Sequence, residues 1–151
     1  MSNRLRVVID TSTLIGAVLR PTSIPRQAFL IATSRFDICA SLSTLDELKE
    51  VLHRPKFDRY APLQTRMDFL ALLTERSRLW TVNALAEQAA VGACRDPKDD
   101  KFLALALSCQ AVALVSSDAD LLTLGKWRDV RIVTAATFVA MPVVGDPDAS
   151  H

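Results

Sequence analysis

The sequence predicts an α/β fold, a three-layer α/β/α sandwich with a mostly parallel central sheet. Short runs of β-branched and apolar residues recur along the chain, and segments with helical periodicity separate them. Because parallel strands need a crossover connection that is usually a helix, this alternation favours a parallel sheet. The length of 151 residues, half of them apolar, suits one domain over residues 1–141. Residues 142–151 are predicted to form a flexible C-terminal tail.

Five short segments are predicted to be strands, because apolar and β-branched residues dominate each of them. They cover residues 5–9, 37–40, 80–82, 112–115 and 130–133. The first strand is expected to end at a polar loop that starts with Asp10. The segment 112–115 is apolar throughout, which indicates a strand that is covered on both faces.

Five segments are predicted to contain helices from their apolar periodicity and their flanking residues. The first begins at Pro25, and the other four cover residues 44–53, 65–79, 96–109 and 137–141. Pro55 is expected to end the second of them. The segment 65–79 has the clearest pattern, with Leu79 among its apolar residues and Arg66 on the polar face. Residues 84–93 fit either a helix or a loop.

Composition narrows the possible functions. Lys and Arg number 18 and Asp and Glu 17, and the net charge of +1 excludes the strong positive field of a general nucleic-acid coat protein. Three cysteines are too few for a disulfide framework and fit a reducing compartment. We find no secretion signal, and the apolar stretch at 102–115 is shorter than the ~20 residues of a membrane-spanning helix. A cytoplasmic protein without a membrane anchor is expected.

Acidic residues recur where the predicted sheet would bind a ligand. Asp10 and Asp118 each follow a buried strand, and ligands of open parallel sheets bind at the carboxyl ends of the strands. Four further acids are expected in the first turns of neighbouring helices: Glu47, Asp96, Asp99 and Asp100. We expect all of these carboxylates to converge at one edge of the sheet.

Each acid also has a local explanation. Asp96 precedes a proline, and with Asp99 at the third helical position it is typical of a helix N-cap. The spacing from Thr44 to Glu47 fits a capping box, and aspartates such as Asp10 commonly open turns. Capping and ligand binding therefore remain open for any single residue. The prediction of a site depends on the acids meeting in one place.

Several carboxylates in one pocket predict a divalent cation. Two like charges ~4 Å apart repel by ~4 kcal/mol at an effective dielectric constant near 20, so the acids must be protonated or neutralised. Oxygen ligands suit Mg²⁺ or Mn²⁺, whereas the two histidines, His53 and His151, do not supply a zinc site. Carboxylate-bound ions of this kind commonly hydrolyse phosphodiesters without a protein nucleophile. The chain accordingly has no G-x-S-x-G motif and no glycine-rich phosphate loop.

Ordered motifs along most of the chain resemble those of the PIN-domain family. They are Val8-Ile9-Asp10-Thr11-Ser12, Ser43-x-x-x-Glu47-Leu48, Arg54-Pro55-Lys56-Phe57, Cys94-Arg95-Asp96-Pro97-Lys98-Asp99-Asp100-Lys101-Phe102, Ser116-Ser117-Asp118-x-Asp120-Leu121 and Ile132-Val133-Thr134. Together the matching motifs span roughly residues 5–138, and their order makes the match specific. The resemblance implies a PIN-like sandwich.

The resemblance also implies a metal-dependent ribonuclease, most often the toxin of a bacterial type II toxin-antitoxin pair of the VapBC kind. The acids that it implies as Mg²⁺ or Mn²⁺ ligands are Asp10, Glu47, Asp118 and one of the Asp99/Asp100 pair, for which we favour Asp99 with Asp100 as its support or substitute. The residues expected to support these ligands are Ser12, Asp96 and Ser116. Ser12 stands where the family often has Asn. The implied partners are RNA, a small antitoxin protein and a second copy of the chain in a homodimer.

Two groups of residues outside the acids have open interpretations. Four cations near Glu47 either contact RNA or form a solvated helix end: Lys49, Arg54, Lys56 and Arg59. Three apolar residues belong either to the core or to a dimer or antitoxin surface: Phe29, Phe69 and Leu72.

Two rival functions use the same kind of scaffold. A PIN-like domain whose site no longer catalyses would be a binding or regulatory module, and the full set of acids argues against this. A receiver domain or an aspartate-nucleophile phosphatase would also use an acidic sheet edge. Such a phosphatase needs a second Asp where this chain has Ser12, and a receiver needs a Lys where it has Ser116-Ser117-Asp118.

Overall fold

The structure, a computed structural model, describes residues 3–142. Within this range the strands are β1 (Arg6–Ile9), β2 (Asp37–Ala40), β3 (Arg78–Leu79), β4 (Ala113–Val115), β5 (Lys126–Trp127) and β6 (Val130–Val133). The helices are α1 (Thr11–Leu19), α2 (Ile24–Arg35), α3 (Leu42–Leu52), α4 (Leu63–Arg76), α5 (Ala84–Ala90), α6 (Asp100–Ser108), α7 (Ala119–Leu124) and α8 (Ala135–Ala140). Beyond residue 142 the predicted tail lies outside the described residues, and the single domain over 1–141 stays a prediction.

One sheet joins these strands in the order β3-β2-β1-β4-β6-β5. Every pairing is parallel except that of β5 with β6, which form an antiparallel hairpin at one edge. The strand β1 is central, and its Ile9 pairs with Val115 of β4. The chain therefore leaves β1 and β4 at the same edge of the sheet. This topology confirms the predicted, mostly parallel sheet.

Helices cover both faces of the sheet, which confirms the predicted sandwich. Val7 and Ile9 of β1 face a core formed with α1 to α4 and α8, whereas Val8 faces a second core formed with α5, α6 and α7. Alternate residues of a strand point to opposite faces, so the apolar run Val7-Val8-Ile9 contributes to both cores and is covered on both sides. Phe29 and Phe69 pack together in the first core, with ring centroids 4.9 Å apart, and are therefore core residues.

Helix α1 corrects the prediction of a polar loop after β1. The helix begins at Thr11, directly after Asp10, and Asp10 accepts a hydrogen bond from the backbone amide of Thr13 as its N-cap. Residues 84–93 contain α5, which Asn83 caps. Neither α7 nor the β5 hairpin was predicted.

Several predicted elements have different bounds in the structure. The third strand is Arg78–Leu79 rather than 80–82, because α4 already ends at Arg76. Leu79 therefore lies in the edge strand, where it is 62% exposed, and not on the apolar face of a helix. The predicted helix 96–109 is divided into a 3-10 turn at Pro97–Asp99 and the α-helix α6.

Arg66 departs most from its predicted position on the polar face of a helix. Its side chain is fully buried in α4 beside Phe69, so its assignment to the polar face is wrong. The guanidinium donates hydrogen bonds to the carbonyl oxygens of Leu52 (2.9 Å) and Arg54 (3.0 Å) and pairs with Asp58. The chain that leaves α3 thus supplies partners for both terminal nitrogens of this buried charge, while its Nε has none among the described residues.

The helices are short. The longest of those described, α4, has 14 residues. Within residues 3–142, no helix combines the length and the apolar character needed to cross a membrane.

Candidate active site

Asp10 lies at the carboxyl end of the central strand and is 4% exposed. Its Oδ1 accepts hydrogen bonds from the Thr13 amide (2.9 Å) and the Ser12 hydroxyl (3.3 Å), and its Oδ2 accepts one from the Ser116 hydroxyl (2.5 Å). The Ser12 hydroxyl also lies 2.6 Å from that of Ser117, which joins the segments after β1 and β4. Capping and ligand binding are compatible here, because Oδ2 keeps a lone pair for a further partner.

Asp118 follows β4 and caps α7. Its Oδ1 accepts hydrogen bonds from the backbone amides of Asp120 (2.9 Å) and Leu121 (3.1 Å). Ser116 connects this residue to Asp10, because its hydroxyl donates to Asp10 and accepts a 2.9 Å hydrogen bond from the Asp118 amide. The structure therefore brings Asp10 and Asp118 into one hydrogen-bonded unit at the carboxyl edge of the sheet.

Glu47 lies one turn later in its helix than the sequence predicted. Helix α3 begins at Leu42, so Glu47 is its sixth residue rather than a member of its first turn. The capping box pairs Ser41 with Thr44, whose hydroxyl accepts a 2.9 Å hydrogen bond from the Ser41 amide. The predicted box from Thr44 to Glu47 is therefore wrong, and capping does not explain Glu47.

The Glu47 carboxylate has a partner on each oxygen. The Thr11 hydroxyl donates to Oε2, and the Lys101 ammonium lies 2.8 Å from Oε1. Thr11 follows Asp10 in the chain, so this contact directs Glu47 toward the edge that holds Asp10. Neither Thr11 nor Lys101 was predicted as a site residue, since each depends on a contact between distant segments.

Asp99 is 8% exposed and has the most strongly shifted pKa among the described carboxyls. Burial is the largest of the causes that raise the pKa of Asp99 to about 7, and the negative charge of Asp118 is the next. The charge of Asp96 raises the pKa of Asp99 less, whereas a 3.6 Å hydrogen bond from the Cys94 thiol lowers this pKa. Burial and the neighbouring charge of Asp118 thus both favour the protonated form of Asp99.

Asp96, Asp99 and Asp120 form a compact acidic cluster. Each offers one carboxylate oxygen, and these oxygens lie within 4.8 Å of one another. Asp96 also caps the 3-10 turn by accepting a 3.0 Å hydrogen bond from the Lys98 amide, so its predicted capping pattern is present. Asp120 was not among the predicted site residues, although its spacing of two from Asp118 carried a signal.

Asp100 begins helix α6 and has one oxygen without a partner. Its Oδ1 is buried, and no other described residue donates a hydrogen bond to it. A buried carboxylate oxygen in this position is costly unless a cation or water satisfies it. The next residue, Lys101, binds Glu47, so the start of α6 lies beside α3.

The predicted acids are thus partly assembled. Asp10 and Asp118 share Ser116, Asp99 interacts with Asp118, and Glu47 joins the edge through the residue after Asp10. Among residues 3–142, Asp10 and Glu47 lie outside the compact cluster of Asp96, Asp99 and Asp120. The site offers oxygen ligands, which are the donors that Mg²⁺ and Mn²⁺ prefer.

Burial of Asp99 predicts a pH-dependent stability in the metal-free protein. The pKa of Asp99, about 7 in the folded chain, exceeds its ordinary value. The contribution of Asp99 to the stability of the folded chain is therefore fully present below about pH 4 and is lost as the pH rises through 7. Asp99→Asn removes this titration. The measurement is urea unfolding in EDTA, which gives the free energy of unfolding of the variant minus that of the wild type. This difference should be roughly 2 kcal/mol larger at about pH 8 than at about pH 5. A gain that is equal at both pH values would contradict the assignment, and Asp68→Asn on the exposed face of α4 is the control.

A sequence profile described as PIN domain matches residues 6–120, a span that contains the predicted acids. A curated relative, the uncharacterized protein MJ1680 of Methanocaldococcus jannaschii, is 30% identical over 122 residues. The aligned region covers 80% of this chain and 76% of that protein.

Solved structures share the fold. VapBC2 from Rickettsia felis, bound to a DNA fragment from its promoter, has a TM-score of 0.61 at 12% identity and covers 85% of this chain and 97% of its own. PAE2754 from Pyrobaculum aerophilum has a TM-score of 0.60 at 18% identity, and the match covers 90% of this chain and 88% of that chain. VapC20 from Mycobacterium tuberculosis, a sarcin-ricin loop cleaving toxin, has a TM-score of 0.54 at 18% identity. The match covers 83% of this chain and 98% of that chain. These likenesses establish the fold.

Proposed function

The chain belongs to the PIN-domain family, and from this premise we propose that it is a ribonuclease that hydrolyses RNA phosphodiester bonds with Mg²⁺ or Mn²⁺. The observation that carries the proposal is the carboxylate unit at the sheet edge. In that unit the Ser116 hydroxyl donates to the Asp10 carboxylate and accepts from the Asp118 backbone amide, and Asp99 lies within electrostatic reach of the Asp118 carboxylate. A concentration of carboxylates at a sheet edge suits phosphodiester hydrolysis by bound divalent ions.

The ligands that we propose are Asp10, Glu47, Asp99, Asp100 and Asp118. Two features favour a cation among them. Burial and the negative charge of Asp118 together raise the pKa of Asp99, so its ionised form lacks stabilisation, and the buried Oδ1 of Asp100 has no described partner. Ser12 and Ser116 support Asp10 by hydrogen bonds, and Asp96 contributes through its effect on Asp99.

The residues around the acids hold them in place. Ser116 fixes Asp10 relative to Asp118, while Thr11 and Lys101 fix the two oxygens of Glu47. Because Asp10 is largely buried, its charge is weakly screened by water and acts strongly on a neighbouring cation. A divalent ion at this edge would activate the attacking water and stabilise the leaving oxygen of the RNA.

The partners that we propose are an RNA substrate, a small antitoxin protein and a second copy of this chain. Structures of the same fold include VapBC from Salmonella typhimurium, which has a TM-score of 0.60 and 19% identity, and VapBC2 from Rickettsia felis. These relatives support a role as the toxin of a toxin-antitoxin pair. We place the protein in the cytoplasm, because its three cysteines are buried free thiols that a reducing compartment preserves.

Incubation of the protein with a mixed pool of single-stranded RNA tests this function directly. Cleavage should require Mn²⁺ or Mg²⁺ and fall at least about a hundredfold in EDTA, because the ion supplies the activated water. Sequencing of the new ends would define the cleavage site. Cleavage that is undiminished in EDTA would overturn the metal mechanism, and no cleavage with either ion would favour a non-catalytic binding module.

A further inference from the structure

An open cleft of about 300 Å³ adjoins the acidic edge. Ser12 and Glu47 line one side of it, and Arg54, Lys56 and Phe57 line another. Thr11 completes the side of Glu47, and Ile15 of α1 and Val51 of α3 add an apolar wall. The cleft therefore connects Glu47, a proposed metal ligand, to a group of cations that follows α3 in the chain.

The cations of the cleft are available to an anion. The Arg54 side chain is 48% exposed, and its contact with Glu50 is long, at 3.9 Å. Lys56 is exposed and lies over the Phe57 ring, 5.2 Å from its centroid. Within the described part of the chain, no acidic side chain forms an ion pair with Lys56. A negatively charged ligand would meet both cations at a small energetic cost.

Arg66 holds the backbone that presents these cations. Its buried guanidinium binds the carbonyl oxygens of Leu52 and Arg54 and pairs with Asp58, so the segment between them is fixed at both ends. A solvated helix end would not need a buried charge to fix its course, because water would satisfy the carbonyls. The arrangement instead favours a preorganised binding surface.

We propose that this cleft binds the sugar-phosphate backbone of single-stranded RNA on one side of the bond that is cut. Arg54 and Lys56 would bind phosphate oxygens, and Phe57 with the apolar wall would contact a sugar or base, the combination typical of single-strand sites. The cleft has the volume of a small ligand site and opens onto Glu47. This inference rests on the proposed ribonuclease function. A protein segment is the competing occupant, but the charge of the cleft favours phosphate.

The test measures binding of a fluorescent single-stranded RNA of about 12 nucleotides in the Asp10→Asn background, which prevents cleavage. Arg54→Gln together with Lys56→Gln should weaken binding about tenfold at about 0.1 M salt and reduce the salt slope by roughly 1.4, since each phosphate contact on a single strand contributes ~0.7. Arg128→Gln, in the turn between β5 and β6 at the amino ends of the strands, is the matched control and should change neither value. Gln at position 54 keeps the backbone carbonyl that Arg66 binds.

An unchanged affinity and salt slope in the double variant would overturn the proposal and leave the cleft as a contact surface for protein. Equal weakening by Arg128→Gln would also overturn it, because the effect would then be one of net charge. Cleavage by the wild-type protein, measured separately with Mn²⁺, distinguishes failure of the cleft assignment from failure of the proposed ribonuclease function. If the wild type cleaves RNA while the double variant binds normally, the cleft assignment fails and the proposed function stands; if the wild type neither binds nor cleaves RNA, both fail.

Discussion

Replacement of Asp10 by Asn is expected to lower metal-dependent RNA cleavage by about a thousandfold or more while the protein stays folded. The substitution removes the negative charge of one proposed metal ligand. Asparagine retains an oxygen that can accept the hydrogen bond from the Thr13 amide, so the cap of α1 survives. Its amide group can also donate to the Ser116 hydroxyl, which now accepts.

Initial cleavage rates with Mn²⁺, compared between wild type and variant, measure this effect, and circular dichroism checks the fold. Asp68→Asn is the control, because Asp68 is an exposed acid of α4 that hydrogen-bonds to Gln64 away from the sheet edge. Its activity should stay within about twofold of wild type, as is usual for surface changes. Wild-type-like cleavage by Asp10→Asn would exclude Asp10 from the site.

Replacement of Arg66 by Met is expected to give the largest loss of stability, about 3 kcal/mol in the free energy of unfolding. Met fills much of the buried volume but leaves two carbonyl oxygens and Asp58 without the guanidinium. Arg66→Lys should not restore the stability, because one ammonium cannot reproduce the planar fork that reaches all three partners. Urea unfolding gives both values.

Arg76→Met, an exposed substitution in the last turn of the same helix, is the matched control and should change stability by less than about 0.5 kcal/mol. If Arg66→Met also costs less than about 1 kcal/mol, the buried hydrogen bonds do not stabilise the segment after α3. The preorganisation that we infer for the adjacent cleft would then lose its basis.

The sheet was predictable because its strands are strongly patterned. β2 and β6 have the predicted bounds, since apolar or β-branched residues dominate each of them. Helix α1 was not predicted, because a polar Asp-Thr-Ser sequence after a strand is as typical of a loop as of a helix cap. The strands β3 and β5 have two residues each, and pairing with a neighbour rather than local sequence defines them.

Asp10 and Asp118 follow strands in the structure as the sequence predicted, but the contacts of the candidate acids could not be predicted. The sequence could not reveal that Lys101 neutralises Glu47, because 54 residues separate them. Arg66 was misassigned for a related reason: charge indicates exposure unless tertiary structure supplies partners. Those partners are carbonyl oxygens left free where α3 ends, and sequence periodicity carries no information about them.

Calorimetric titration with Mn²⁺ tests the central claim most directly. At about pH 7 the wild-type protein should bind the ion with measurable heat and release protons, because Asp99 must ionise to bind it. Asp10→Asn should weaken that binding at least about tenfold, whereas Asp68→Asn should not change it. A wild-type protein that shows no binding heat, or an Asp10→Asn variant that binds Mn²⁺ as the wild type does, would contradict a metal site built on the carboxyl edge of the sheet.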